Sequence, residues 1–309
     1  MFSTYRELIA EVKRLPRMRL CVAAATDEMV LLAVKNAVSE GIVDPILVGD
    51  VERIWKIALK ISFYPRGIKV INESNPIEAA RLAVRLVSSG EADVLMKGMI
   101  NSSDFLRAVL QPEWELVTGS ILSHLAIYEV PGFNRLIYMT DGGLNISPDL
   151  EQKQKLTANA VAFLRTIGIK QPRVAVLSTE LMGGGRLHSA AEAEKLKAMA
   201  MEGKLGEAVV DGPMDLGTAV NYGEAEMQGL DSPVAGKADL LVVPNIESGN
   251  VLGKAIIHFA GGKMAGLVIG ASKPIVLTSR AETPFGKLTS IAFACYYSHR
   301  KKMRGTERD

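Results

Sequence analysis

The sequence predicts an α/β protein whose sheets are largely parallel and covered by helices. Short apolar runs alternate with helix-patterned stretches along nearly the whole chain, the order expected of βα units. The apolar runs are continuous rather than alternating with polar residues, as in strands buried on both faces. Polar, glycine-rich clusters follow several of these runs directly, at the strand ends where such sheets bind ligands.

Taken in order, "RLCVAAA" is the first strand and "DEMVLLAVKNAVSEGI" its helix. "DPILVGD" with "VERIWKIALKI" repeats the pattern, as do "IKVINE" with "PIEAARLAVRLVSSGEA" and "DVLMKG" with "SSDFLRAVL". A second set opens on the long helix "SPDLEQKQKLTANAVAFLRTIG", for which Ser147 is suited as cap and Pro148 as first-turn residue. "RVAVLST", the helix "SAAEAEKLKAMAME", "EAVVDGP" and "ADLLVVPN" follow. Then come the helix "GNVLGKAIIHFAG", the strands "AGLVIGA" and "PIVLTS", and a closing helix "KLTSIAFACYYSHRKK". A length of 309 residues suggests two domains. "DGGLNISP" at 141–148 reads as a loop, so the two halves are expected to share an interface with a cleft.

Hydrophobic residues form 48% of the chain, enough for a sizeable core. A net charge of +2 argues against an extended nucleic-acid surface. The one basic cluster, "HRKKMR" at 299–304, reads as a solvated helix end. No run approaches the roughly 20 apolar residues of a membrane span, and the amphipathic start "MFSTYRELIAEVKRL" lacks a signal core. Cys21 and Cys295 lie in apolar segments without a CxxC, as core thiols in a reducing compartment do. A cytoplasmic protein acting on neither nucleic acid nor membrane is expected.

Five clusters could carry chemistry: "MKGMINSSD" (96–104), "TDGGLNISPD" (140–149), "DGPMDLGTAV" (211–220), "VPNIESGNVLGK" (243–254) and "TSRAET" (278–283). Each alone could be an ordinary turn. None is a P-loop or a dinucleotide fingerprint, and "MGGGRL" at 182–187 has the wrong spacing. No zinc-type cluster of His and Cys occurs. His258 reads as structural, whereas His124, beside Ser123 in "GSILSHLAIYEVP", is a functional candidate. Lys97, Asn101, Ser102, Asn145, Asn250, Ser279 and Arg280 are donors, and Ser123 could add another. Backbone N–H groups after Gly98, Gly143 and Gly249 would extend the set. Clustered donors at helix starts suit an oxyanion or phosphate. Arg280 could grip phosphate bidentately or pair with Glu282.

At these residues the sequence resembles the phosphate acetyltransferase and phosphate butyryltransferase family, more closely the butyryl branch. The resemblance lies in "ADVLMKGMINSSDFLRAVL", "SHLAIYEVPGFNRLIYMTDGGLNISPDLEQK", "VDGP", "KADLLVVPNIESGNVLGKAI" and "AGLVIGASKPIVLTSRAE", and runs in register from about residue 90 onward. It implies transfer of an acyl group between coenzyme A and phosphate without metal or cofactor. Coenzyme A, acyl phosphate and inorganic phosphate are then the partners of a homodimer. It also implies two three-layer α/β/α domains around a cleft, as in isocitrate and isopropylmalate dehydrogenases, with the last helix returning to the first domain. The domains expected are therefore 1–147 with 279–309, and 148–278. The family's Ser-Arg pair after the last strand carries over to Ser279 and Arg280. Lys97, Asn101, Ser123, His124, Asn145 and Asn250 are expected to bind substrate.

Thiolate attack fits this donor set. A free thiol has a pKa of about 8.5, so full ionisation at neutral pH costs about 2 kcal/mol, which a base reduces. The family's base is an acid seven residues after that serine, and position 286 here is glycine. Glu282 is the nearest acid and becomes the candidate base. Gly217 likewise stands where the family carries an acid, with Asp215 two residues before it. These departures motivate the alternative of a non-catalytic or regulatory homologue that binds acyl-CoA or acyl phosphate. A metal-dependent dehydrogenase is disfavoured, since Asp211 and Asp215 are the only close acidic pair among the loops.

Overall fold

The computed structural model describes residues 2–64, 67–117, 121–179, 186–279 and 281–306, excepting the side chains of residues 305 and 306. The chain divides into a terminal unit, residues 5–120 and 265–309, and a central unit, residues 121–264 with residues 2–4.

The terminal unit begins with α1 (Tyr5–Val12), β1 (Met18–Ala23), α2 (Glu28–Ser39), β2 (Val43–Gly49) and α3 (Val51–Lys60). It continues through β3 (Lys69–Asn72), α4 (Pro76–Ser88), β4 (Val94–Lys97) and α5 (Ser102–Val109). Side-chain caps start the helices: Asp27, Asp50 and Asn75 accept from backbone N–H groups of α2, α3 and α4, as N-cap preferences predict.

The central unit contains β5 (Ser123–Glu129), β6 (Ile137–Thr140), α6 (Leu150–Thr166), β7 (Arg173–Leu177), α7 (His188–Met201) and β8 (Val209–Met214). After α8 (Leu216–Val220), α9 (Tyr222–Met227), β9 (Leu240–Val242) and α10 (Ile246–His258), the chain enters β10 (Lys263–Ile269). The terminal unit is completed by β11 (Ile275–Val276) and α11 (Pro284–Thr306).

In the terminal unit the strand order is β3-β2-β1-β4-β11-β10. All neighbours are parallel except β10 with β11. Chain order runs outward from β1 to β3 and then jumps to β4 on the other side of β1. That reversal opens a crevice outside the carboxyl ends of β1 and β4. Helices α1, α2 and α11 pack together as one group, and α4 with α5 as another. Every residue of β4 is buried, Lys97 included, which accounts for its unbroken apolar pattern.

In the central unit the order is β5-β6-β9-β7-β8. Strand β5 is antiparallel to β6, and the other neighbours are parallel. The α/β class expected from the sequence is therefore what the chain adopts. The unit boundaries lie at 120/121 and 264/265, away from the expected 147/148 and 278/279. Pairing of β6 with both β5 and β9 accounts for the placement of 121–147.

Each unit contains an Arg–Asp staple of the same kind. Arg19, in β1, donates its N, Nε and Nη2 to Asp93, which precedes β4. Arg173, at the start of β7, donates the same three groups to Asp239, which precedes β9. In each case the Asp N–H also returns a bond to the Arg carbonyl, at 2.8 Å. Both aspartates are buried, and each staple joins the edges of two neighbouring parallel strands at their amino ends.

Some local expectations are corrected. Helix α6 starts at Leu150, not at Pro148. Asp149 is its cap, accepting from Gln152 N at 2.8 Å while Gln152 Oε1 accepts from Asp149 N at 2.9 Å. This capping box satisfies two orphan donors at once. Helix α10 starts one turn before Gly249, because Asn245 accepts from Ser248 N and Ser248 Oγ. Both cysteines are buried free thiols, and burial pushes Cys21 up to about 12. Among the described residues no helix is long and apolar enough to cross a membrane.

Candidate active site

Each unit gathers part of the expected set at the carboxyl ends of its parallel strands. In the terminal unit β11 lies parallel to β4, with Val276 opposite Met96. Thr278 and Ser279 therefore leave the sheet on the same edge as Lys97 and Gly98. Gly98 N donates to Ala23 O at 2.8 Å. A Cβ on Gly98 would strike the carbonyl oxygens of Ala23 and Ala24, so glycine permits this close passage of β4 by the end of β1. Lys97 Nζ donates to Ile100 O at 2.8 Å and to Gly98 O at 3.3 Å, shaping the turn that leads to Asn101. Asn101 is exposed and precedes α5 without a side-chain capping bond.

Ser279 is exposed. Its Oγ accepts from Ala281 N at 3.3 Å, and its carbonyl accepts from Glu282 N at 3.1 Å. Glu282 is half-buried, and its Oε1 accepts from Thr283 N at 3.0 Å and Thr283 Oγ1 at 3.3 Å. Gly286 sits in the first turn of α11, where its N–H donates to the Thr283 hydroxyl. Arg280 lies outside the described residues, as does the glycine run at 182–185.

One residue here escaped sequence reasoning. Lys287 is only 2% exposed. Its Nζ donates to Ser279 O at 2.7 Å and to Thr278 Oγ1 at 3.1 Å. Burial holds this ammonium below the usual lysine range, against the opposing pull of Asp27 and Glu282. The only signal available was a lysine on an otherwise apolar helical stretch, eight residues past Ser279.

In the central unit the buried carboxylate of Asp141 organises the loop after β6. Its Oδ1 accepts from Gly143 N and Leu144 N, at 2.9 and 2.8 Å. Its Oδ2 accepts from His124 N at 2.9 Å, Asn145 N at 3.3 Å and Asn145 Nδ2 at 2.6 Å. The backbone donors expected after Gly143 are thus already engaged, which corrects their assignment to a ligand. Asn145 Nδ2 also donates to Leu122 O at 2.9 Å, so both its amide hydrogens have partners within the unit. Ser123 is buried, with its Oγ accepting from Asn159 Nδ2 at 3.3 Å.

The His124 ring packs on Gly143, where a Cβ would come within 2.9 Å of it. Its Nδ1 is buried without a hydrogen-bond partner among the described residues. Burial pushes the imidazole below its ordinary value, outweighing the pull of the Asp141 carboxylate. Gly142 and Gly249 bring the loop after β6 against α10, since a Cβ on Gly249 would lie 2.6 Å from Gly142 Cα. Asn250, next along α10, is exposed.

A cavity of about 370 Å³ opens at the carboxyl ends of β7, β8 and β9, among Leu177, Ser178, Asp215, Leu216, Pro244 and Leu252. Asp215 caps α8 through Thr218 N at 2.8 Å, and Asp211 pairs with Lys197 at 2.7 Å. Both carboxylates of that sequence pair thus have local partners. The described residues contain no group of three or more His, Cys, Asp and Glu that could hold a metal.

Residues 73–295 match the family described as phosphate acetyl/butaryl transferase. The chain is 40% identical over 301 residues to the phosphate butyryltransferase of Clostridium acetobutylicum, covering 97% of this chain and all of that one. A crystal structure of a branched-chain phosphotransacylase from Enterococcus faecalis V583 superposes with a TM-score of 0.82 at 28% identity, covering 91% and 99% of the two chains. The 4-hydroxythreonine-4-phosphate dehydrogenase of Klebsiella pneumoniae shares the fold alone, with a TM-score of 0.60 at 16% identity and coverage of 91% and 99%. With strands, turns and relatives in agreement, the chain belongs to the phosphate acetyl/butaryl transferase family.

Proposed function

We propose that the protein moves a short-chain acyl group between coenzyme A and inorganic phosphate. The observation that carries this reading is the near-full-length similarity to a phosphate butyryltransferase, in a matched region that includes the donor-rich turn after β11. In one direction the coenzyme A thiolate attacks the carbonyl carbon of an acyl phosphate. The carbon–sulfur bond forms, the bond from that carbon to the phosphate oxygen breaks, and phosphate leaves as an anion. The thiol proton passes to a base, for which Glu282 is the candidate. Ser279 and Arg280 stabilise the leaving phosphate and the transient oxyanion, where one preorganised donor is typically worth about 10²–10³ in rate.

Lys97 shapes the turn before Asn101, whose side chain is the candidate donor to substrate there. In the central unit the hydrogens of the Asn145 amide are already engaged, and Ser123 is buried. His124 and the exposed Asn250 are therefore the stronger substrate-binding candidates of that group. The reaction uses coenzyme A as a substrate and no resident cofactor or metal, and the protein works as a cytoplasmic homodimer.

Thiol release from acetyl- through branched C5-CoA in phosphate buffer tests the reading. Turnover should peak at a C4 or branched C5 chain. A single methylene changes selectivity by about 1–3 kcal/mol, so acetyl-CoA, two methylenes shorter than butyryl-CoA, should be slower by about 10-fold or more. No turnover of any member of the panel would reject it.

A further inference from the structure

Several buried charges of the described chain are paired with an opposite charge. Asp93 meets Arg19 and Lys302, Asp239 meets Arg173, and Lys153 meets Glu192. Lys287 differs. It is buried to the same degree, yet no described carboxylate lies within 4.0 Å of its Nζ; its contacts are a hydroxyl and a carbonyl. Asp27 and Glu282 act on it only at longer range. A buried ammonium with neutral partners is an unfavourable arrangement on its own. It is explicable where an anionic ligand completes it, because binding then supplies the missing counter-charge.

The location fits such a ligand. Thr278 Oγ1 accepts the lysine's hydrogen bond, so the threonine's own hydrogen is directed to another acceptor. Ser279, held through its carbonyl by the same ammonium, is exposed. Lysine therefore fixes the turn and leaves two hydroxyls and a positive charge at the carboxyl end of β11. We infer that Lys287 is the built-in counter-charge of the phosphate subsite, positioning Thr278 and Ser279 and supplying the cation that a bound phosphate neutralises. This assignment rests on the acyl-transfer reading for the identity of the anion, and it adds a charge that the Ser-Arg pair alone does not provide.

The test uses the full chain with Lys287→Met, Lys287→Gln and Lys287→Arg. Gln keeps two donors for the turn without the charge, which guards against a variant that merely fails to fold. Titration calorimetry with inorganic phosphate at constant ionic strength is the first readout. The second is the KM for phosphate against that for butyryl-CoA. Loss of a charge-assisted contact should weaken phosphate binding by about tenfold or more in Met and Gln. The KM for butyryl-CoA should stay unchanged, and Arg should recover most of the phosphate affinity. A folded Lys287→Gln that binds phosphate like wild type would overturn the assignment, as would a wild-type protein that binds no phosphate. Wild-type phosphate binding that is lost in Gln, without turnover of any acyl-CoA, would support Lys287 and count against acyl transfer.

Discussion

Ser279 and Arg280 are where the chemistry is expected to concentrate. The sequence nominates both because a hydroxyl and a guanidinium directly follow an apolar run. Arg280→Ala should lower kcat for acyl-CoA phosphorolysis by about 10² or more; a steady-state assay giving near wild-type turnover would remove that role. Glu282→Gln should lower kcat and change its pH profile, and an unchanged profile would dismiss Glu282 as the base. Asp141 and Lys287 were not readable. Asp141 earns its place only when His124, 17 residues earlier, is brought to it by β5–β6 pairing. The position of Lys287 follows from α11 packing back on Ser279. Sequence spacing conveys residue type, whereas these roles depend on partners supplied by tertiary structure.

At the scale of the elements, most helices and parallel strands were legible from periodicity, while their ends were not. Ser147 and Asp149 are both good caps, and the reciprocal bond from Gln152 decides for Asp149. Strands β5 and β6 were passed over because their pairing is antiparallel and interrupts the βα rhythm. The Arg–Asp staples join residues 74 and 66 positions apart, so no local window reveals them. Burial raises the cost of a charged Asp93, but the hydrogen bonds from Arg19 and Lys302 outweigh it and hold the carboxyl well below the usual carboxylate range. Its contribution is therefore complete above the unfolded value near pH 4 and is lost as pH falls toward the folded value. Asp93→Ala should destabilise the protein by about 2–3 kcal/mol at neutral pH, less than for a fully buried pair because both cations are half in solvent. The difference from wild type should shrink below pH 4. Chemical denaturation across that range checks both the size and the sign, and a constant difference would show that the charge is not what matters.

For the molecule as a whole, the α/β class followed from continuous apolar strands and the order of elements, while the strand order did not. The reversal between β1 and β4 arises from pairings between distant segments, and it is this reversal that makes the carboxyl edge of the terminal unit a crevice. The same crevice edge receives β11 and the turn that follows it, so the proposed phosphate-binding Ser279 stands there, exposed. Family membership supports the chemistry proposed for this edge. The most direct measurement of that chemistry is product analysis with butyryl-CoA and inorganic phosphate, following free thiol and the phosphorus resonance of acyl phosphate together. Equal amounts of thiol and butyryl phosphate, with no thiol released when phosphate is omitted, is the predicted result. Thiol release that continues without phosphate, or that yields only free butyrate, would contradict acyl transfer to phosphate.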